Sequence, residues 1–508
     1  MSEIQKDILF ELIKSLSKSE KRQFKVYVNR LGINADAKFL LLFSALEKMD
    51  EYDEKAILKK KITTKTQLSN LKAHLYRQIL ISLRMNPNLQ NIRVQIREQL
   101  DFAEILYNKG LYKQSLKILE KAKRLTLKSE EKTSAYEIIE FEKNIESQYI
   151  TRSEEGRADT LISQAKTISQ QNVITSKLSN MALKLYSSML KYGYAKDESY
   201  KLLIINYFNK NISKLSIDIM GVREQLWLYQ AYVWKSLLLQ DFESAYEYSS
   251  KWVSLFYENP EMIQNNPIWF LKGNNYLLES LFLNRGISEF EFWWNKLKET
   301  IKNKQIPENE NVKIALFIDV NTNLLNFFFL KGNFSQYKLV EKNILSEIKI
   351  FETKIDTHHI LILYFKMGAL SFINEDYKQT LHFTQKIISH KINDVQEDLL
   401  FHSHILSLMA KFESGFDADF EESVASMLRL LQKMQRPTEV QKEVALFFSK
   451  IYKLYPNECQ KSFEDLLKTL IQIAENPYNR RSLRYLDVIA WAESKVKNIK
   501  VKELIIKK

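Results

Sequence analysis

Between Ala103 and Leu125 the chain reads AEILYNKGLYKQSLKILEKAKRL, with apolar residues at the three- and four-residue intervals of two amphipathic helices. Leu106, Leu116 and Leu119 hold repeating apolar positions, and Lys109-Gly110 breaks the run. Ala103, Ser115 and Ala122 are small where two antiparallel helices must touch, so larger side chains can interdigitate around them. Gly110 ends the first helix, and Tyr112 is placed to pack back over the turn. The stretch predicts a helical hairpin.

The same turn recurs. Phe242 with Ala245, Gly332 with Phe334, and Tyr377 after Gly368 repeat the combination of a break, an aromatic and a small residue. Tyr337 stands where a small residue is expected. Phe334, Tyr377, Phe420 and Phe463 are each 43 residues apart. Phe242 lies two steps of 46 before Phe334, with a degenerate turn at Arg285-Gly286-Ile287 between them. Tyr112 lies three further steps back, which places turns near Ser153–Arg157 and Tyr194–Ser199. About nine hairpins fit one period, each of two helices roughly 27–30 Å long.

The Gly-x-aromatic turn and the small-residue positions resemble the tetratricopeptide repeat, most closely over 103–125. The period is longer than the roughly 34 residues of that unit. HEAT repeats have a similar length but lack this turn. The resemblance implies an all-α, right-handed superhelical solenoid with elongated hairpins. Three regions are expected: a basic N-terminal helical module over 1–92, the repeat array over 93–475, and a capping helix over 476–508.

Composition agrees with long helices and short connections. Gly (10) and Pro (7) are scarce in 508 residues, which disfavours tightly turned strands and Gly-rich phosphate loops. Of the formal charge of +13, residues 1–100 carry +8 and residues 476–508 carry +6, which leaves the middle near neutral. One cysteine, Cys459, excludes an internal disulfide framework. The opening MSEIQKDILFELIKSLSKSEK has no apolar signal-peptide core, and the nearest thing to a membrane span is the short run NLLNFFFL at 323–330. A cytoplasmic protein without membrane insertion is expected.

Each end offers a polar surface. A short helix near 53–61, a turn at Ile62–Thr64 and a longer helix at 66–84 outline a helix-turn-helix. Leu68, Leu71, Leu75, Ile79 and Leu83 form its apolar stripe, with Thr66, Asn70, Arg77 and Arg84 opposite. Asn70, Arg77 and Arg84 are therefore the candidate nucleic-acid contacts, although a compact helical cap has the same outline. After Pro477 a terminal helix should turn Leu483, Leu486, Ile489, Ala490 and Val496 inward and Arg480, Arg481 and Arg484 outward.

Catalytic chemistry finds no pattern. Six of seven histidines fall between 358 and 404, but His402-x-His404 is too close for one helical face and no ligand set of metal-binding spacing completes them. No Walker loop, nucleophile elbow or dinucleotide fingerprint occurs. The expectation is no enzyme, no catalytic residue, no cofactor and no metal. Six of seven tryptophans cluster between 227 and 294. Long helices need bulky core filler, and the cluster can be that; the alternative is that Trp227, Trp234, Trp269 and Trp294 are anchors for a protein partner in the solenoid groove, with Asn274 as a backbone clamp, a role that inner-helix Asn and Lys play in tetratricopeptide families. At least one of the adjacent Trp293 and Trp294 should reach a groove. The leading expectation is a non-enzymatic interaction scaffold. The alternative is a regulator touching nucleic acid or a nucleoprotein such as the ribosome through the N-terminal module.

Overall fold

The computed structural model describes residues 7–32, 37–86, 91–148, 155–213, 215, 217–390, 397–415, 419–434 and 436–507. Every regular element among the described residues is helical, with 26 α-helices and no strand. The chain forms two compact units, Met1–Glu155 and Gly156–Lys508.

In the first unit, α1 (Ile8–Ser15), α2 (Lys18–Arg30), α3 (Lys38–Lys48), α4 (Glu54–Lys59) and α5 (Lys65–Arg84) enclose a core that includes Ile13, Phe24, Phe43 and Leu75. Ser17 and Glu20 form a reciprocal capping box at the start of α2. The hairpin α6 (Ile92–Asn108) and α7 (Tyr112–Ser129), followed by α8 (Lys132–Gln148), has a second core. Ala103, Ser115 and Ala122 are fully buried there, and the Ser115 hydroxyl donates to the Ala103 carbonyl at 2.8 Å. The small residues do bring the two backbones together.

In the second unit, α9 (Arg157–Tyr192) and α10 (Glu198–Ile212) precede a series of hairpins. These are α11 (Val222–Leu238) with α12 (Phe242–Glu258), then, after the short α13 (Glu261–Asn265), α14 (Pro267–Asn284) with α15 (Ile287–Lys302). They continue with α16 (Glu310–Lys331) and α17 (Phe334–Phe351), α18 (Thr357–Ile373) and α19 (Tyr377–Ile388), α20 (Glu397–Glu413) and α21 (Phe420–Lys433), and α22 (Glu439–Ile451) and α23 (Pro456–Glu475). The first helix of each hairpin packs on the first helix of the next, as α14 does on α16, α16 on α18 and α18 on α20. Tyr112, Phe242, Ile287, Phe334, Tyr377 and Phe420 are each the first residue of a second helix. Phe463 is different: it lies inside α23, whose start is Pro456. Of the two inferred turns, Tyr194–Ser199 is the α9–α10 connection, and 153–154 of the other lie outside the described residues. The 36-residue α9 runs unbroken across what the period divides into two helices.

A shared corner joins the hairpins. The N–H of Leu111, Asp241, Gly286, Asn333 and Asp376 each donates to the carbonyl five residues earlier, at 2.9–3.1 Å. The preceding residue has positive φ: Gly110 and Gly332, but also Gln240 (57°), Arg285 (58°) and Glu375 (62°). Each non-glycine in that conformation costs about 1–2 kcal/mol.

Helix α16 is, by length and composition alone, apolar enough to cross a membrane, a property that reading single apolar runs overlooks. Here it packs among α14, α15, α17 and α18. The residues after Pro477 form three short helices, α24 (Arg480–Tyr485), α25 (Val488–Lys497) and α26 (Val501–Lys507), rather than one. Leu486 is extended between the first two, and Asn498, at φ 53°, ends α25. Leu483, Leu486 and Ala490 are buried as the pattern predicts. Arg481, expected outside, is only 8% exposed, because it reaches into the hairpins.

Candidate partner-binding surface

The first helices of the hairpins carry polar residues at positions that face one another. Asn323 Nδ2 on α16 donates to Asn275 Oδ1 on α14 at 2.9 Å, and Asn326 Nδ2 lies 3.4 Å from Asn323 Oδ1. Lys366 Nζ on α18 donates to Asn326 Oδ1 at 2.6 Å and sits 5.0 Å from the centre of the Phe282 ring. The row continues to Glu279, which receives Arg481 Nη2 at 3.2 Å, while the same guanidinium lies 3.6 Å from the centre of the Tyr194 ring. Asn323, Asn326 and Lys366 are buried; Lys272, Asn275, Tyr276 and Glu279 are half-buried and form its accessible part, while Asp319, half-buried as a residue, keeps its carboxyl inside.

Desolvation sets the electrostatics of this row. Burial pushes the Asp319 carboxyl up to about 8 and pulls the Lys366 ammonium down to about 8, with Glu279 opposing the latter shift. Burial also lowers Lys272 and raises the hydroxyls of Tyr194 and Tyr276. His404 is drawn down to about 4 by burial. Among the described residues no group of three or more His, Cys, Asp or Glu side chains is arranged to hold a metal ion.

The unit returns on itself around these residues. Lys196, in the α9–α10 connection, donates to the Arg436 carbonyl at 2.8 Å and lies 3.8 Å from Asp398 at the start of α20. Asp197 faces Arg436 at 3.7 Å, and Tyr478 bonds Glu198. The earliest hairpins of the unit thus meet its latest ones.

The structure places the sequence-predicted anchors in two groups. Trp234 (8% exposed), Trp294 (3%) and Asn274 (1%) lie in the core. Long helices need bulky filler, and Trp234 packs edge-on against Tyr186 and Tyr276. Asn274 Nδ2 bonds the Phe270 carbonyl of its own helix and leaves no clamp at the surface. Trp227 and Trp269 are half-buried and meet edge-to-face at 4.6 Å. Of the adjacent pair, Trp293 is the half-buried member. Sequence reasoning does not find the polar row. Its signal was a set of Asn, Asp and Lys residues inside otherwise apolar helices, such as Asp319, Asn323 and Asn326 in α16 and Lys366 in α18.

In the first unit, Asn70, Arg77 and Arg84 are all exposed on α5, at seven-residue spacing. Arg84 pairs with Asp101 at 2.6 Å and lines an open recess of about 560 Å³ with Arg97 and Glu137. Comparison with protein-family models, curated proteins and solved structures finds no match.

Proposed function

We propose that this chain is a non-enzymatic scaffold: a tetratricopeptide-like, right-handed superhelical array whose first helices line a groove for a protein partner. The repeated corners, the first-helix-on-first-helix packing and the return of α9–α10 to α20–α22 support the superhelical reading. The observation that carries the binding role is the row of Asn and Lys side chains with its half-buried members Lys272, Asn275 and Glu279. Amide and ammonium groups held on rigid helices can bond an extended backbone, and the Trp227–Trp269 pair offers an aromatic anchor beside them.

Affinity capture with the full chain, with and without nuclease, tests this. A discrete protein partner should survive nuclease, and Lys272→Ala with Asn275→Ala should reduce its recovery about tenfold while helicity is unchanged. Undiminished recovery would remove the row from the binding role. A second reading rests on the exposed Asn70–Arg77–Arg84 stripe, with nucleic acid or a nucleoprotein as partner. It expects capture that vanishes with nuclease and with Arg77→Glu, together with a steep loss of binding as salt rises.

A further inference from the structure

Helix α5 buries Leu68, Leu75, Ile79 and Ser82 and packs on α1, α2 and α3. On its other side Thr66, Gln67, Asn70, Ala73, His74 and Arg77 are all exposed. At about 100° per residue these six cover roughly a third of the circumference through about three turns. The whole helix contains no Asp or Glu. Gln67 and Asn70 each set an amide donor beside an acceptor, Thr66 and Ala73 offer methyl groups, and Arg77 offers a forked donor.

The charge around this face is segregated. From Lys55 to Arg97 the chain holds ten Lys and Arg and no Asp or Glu. Three of the ten are engaged within the unit: Lys72 with Asp7, Arg84 with Asp101 and Arg93 with Glu131. Lys59, Lys60, Lys61 and Lys65 gather where the exposed face begins, at the end of α4 and the start of α5. All four are exposed, as is Arg77, and none of these five side chains has an ion pair or hydrogen bond with another described residue. Asp53 and Glu54, the carboxylates nearest along the chain, are turned to other partners. Asp53 caps α4 at the Ala56 N–H, and Glu54 accepts the Tyr52 hydroxyl.

We infer, building on the nucleic-acid reading, that α5 enters the major groove of duplex DNA, with Gln67, Asn70 and Arg77 at the base edges and Lys59, Lys60, Lys61 and Lys65 on the phosphates. A helix with its side chains is about 10–12 Å across, and the major groove of B-form DNA is about 12 Å wide. Amide pairs, methyl groups and a guanidinium are the groups that read base edges there, while lysines at the border meet the backbone. The major groove of an RNA duplex is too narrow and deep for such a helix. An acidic protein surface would use the lysines and leave the uncharged face of α5 without a role.

Fluorescence anisotropy of the full chain tests this, with random-sequence DNA duplexes of about 30 bp set against an RNA duplex and a single-stranded DNA of equal length. The DNA duplex should bind most tightly. Four lysine contacts give a slope of log K against log salt of about −3.6, so affinity should fall roughly 150-fold between about 50 and 200 mM salt. Lys60→Ala with Lys61→Ala should flatten that slope by about 1.8. Gln67→Ala with Asn70→Ala should keep the slope and change the motif enriched from a random duplex library, which a merely charged surface would not do. Equal or tighter binding to RNA or to the single strand would overturn the duplex proposal and leave the nucleic-acid reading standing. No binding to any of the three would overturn both. An enriched motif that is absent, or unchanged in the Gln67 and Asn70 variant, would remove α5 from the groove. All four substituted residues are exposed, and circular dichroism checks that helicity is kept. Should a variant lose it, the wild-type comparison of the three nucleic acids still decides.

Discussion

Helices α18 and α19 are two arms of one hairpin, yet twelve of the seventeen residues of α18 are buried against four of twelve in α19. The contrast repeats at α14 with nine buried residues and α15 with four, and at α20 with ten and α21 with three. A second helix lies on its own partner and the following hairpin, and its outer side meets water. A first helix has neighbours on almost every side, including the first helices before and after it. Second helices therefore read as amphipathic stripes, while first helices are apolar nearly all round. Polar residues on a first helix must find partners inside the protein, which is why the Asn and Lys row exists.

The contrast can be broken most sharply with one substitution in a first helix and one in a second helix. Leu370→Ala in α18, where Leu370 is fully buried, should cost about 2–5 kcal/mol, whereas Leu339→Ala in α17, where it is 78% exposed, should stay within about 0.5 kcal/mol. Urea melts followed by circular dichroism would show it, and similar losses would mean that burial does not separate the arms.

Arg481→Ala probes the polar row from its far end. It removes the Glu279 pair and the cover on Tyr194, and should cost about 3 kcal/mol. Arg481→Lys should recover only part of this loss, because an ammonium cannot stack on the ring as the guanidinium plane does.

The smallest expected effect concerns pH. The Asp319 carboxyl, held up near 8, keeps its proton in the folded chain through a range in which the unfolded chain has lost it. The folded state binds more protons, so this group's contribution to stability falls as pH rises from about 4 to about 8. Asp319→Asn should remove that dependence and raise stability at pH 8 by about 1–3 kcal/mol. The comparison is the difference in melting temperature between variant and wild type at pH 5 and pH 8. Subtraction cancels His404, which burial holds near 4 and which destabilises the fold as pH falls from about 6.5 toward that value. A difference independent of pH would place the Asp319 carboxylate in contact with water.

The hairpins themselves were legible in the sequence because they rest on local rules. Ala103, Ser115 and Ala122 marked a close helix crossing, and the aromatic landmarks from Tyr112 to Phe420 marked the starts of second helices. Helix periodicity and corner chemistry act within a few residues, and the sequence displays them directly. Phe463 misled because an aromatic in the middle of a helix keeps the same spacing as one at its start. For Trp234 and Trp294 the sequence left core and groove both open, because residue type records size and not direction; both fill the core.

Tertiary structure decided what the hairpins enclose. Asn275, Asn323 and Lys366 come from three helices far apart in sequence, and only their stacking brings the amides and the ammonium into one row. Arg481 looked like one of several exposed cations, but Glu279 and Tyr194, more than two hundred residues earlier, draw it inside. The left-handed residues Gln240, Arg285 and Glu375 likewise bond Tyr478, Asp487 and Lys500, in a segment at the other end of the unit. Sequence alone determined the all-helical class and the helix corners from Tyr112 to Phe420, because those depend on neighbours along the chain. Which polar groups are desolvated, and what fills the corners, depends on neighbours in space.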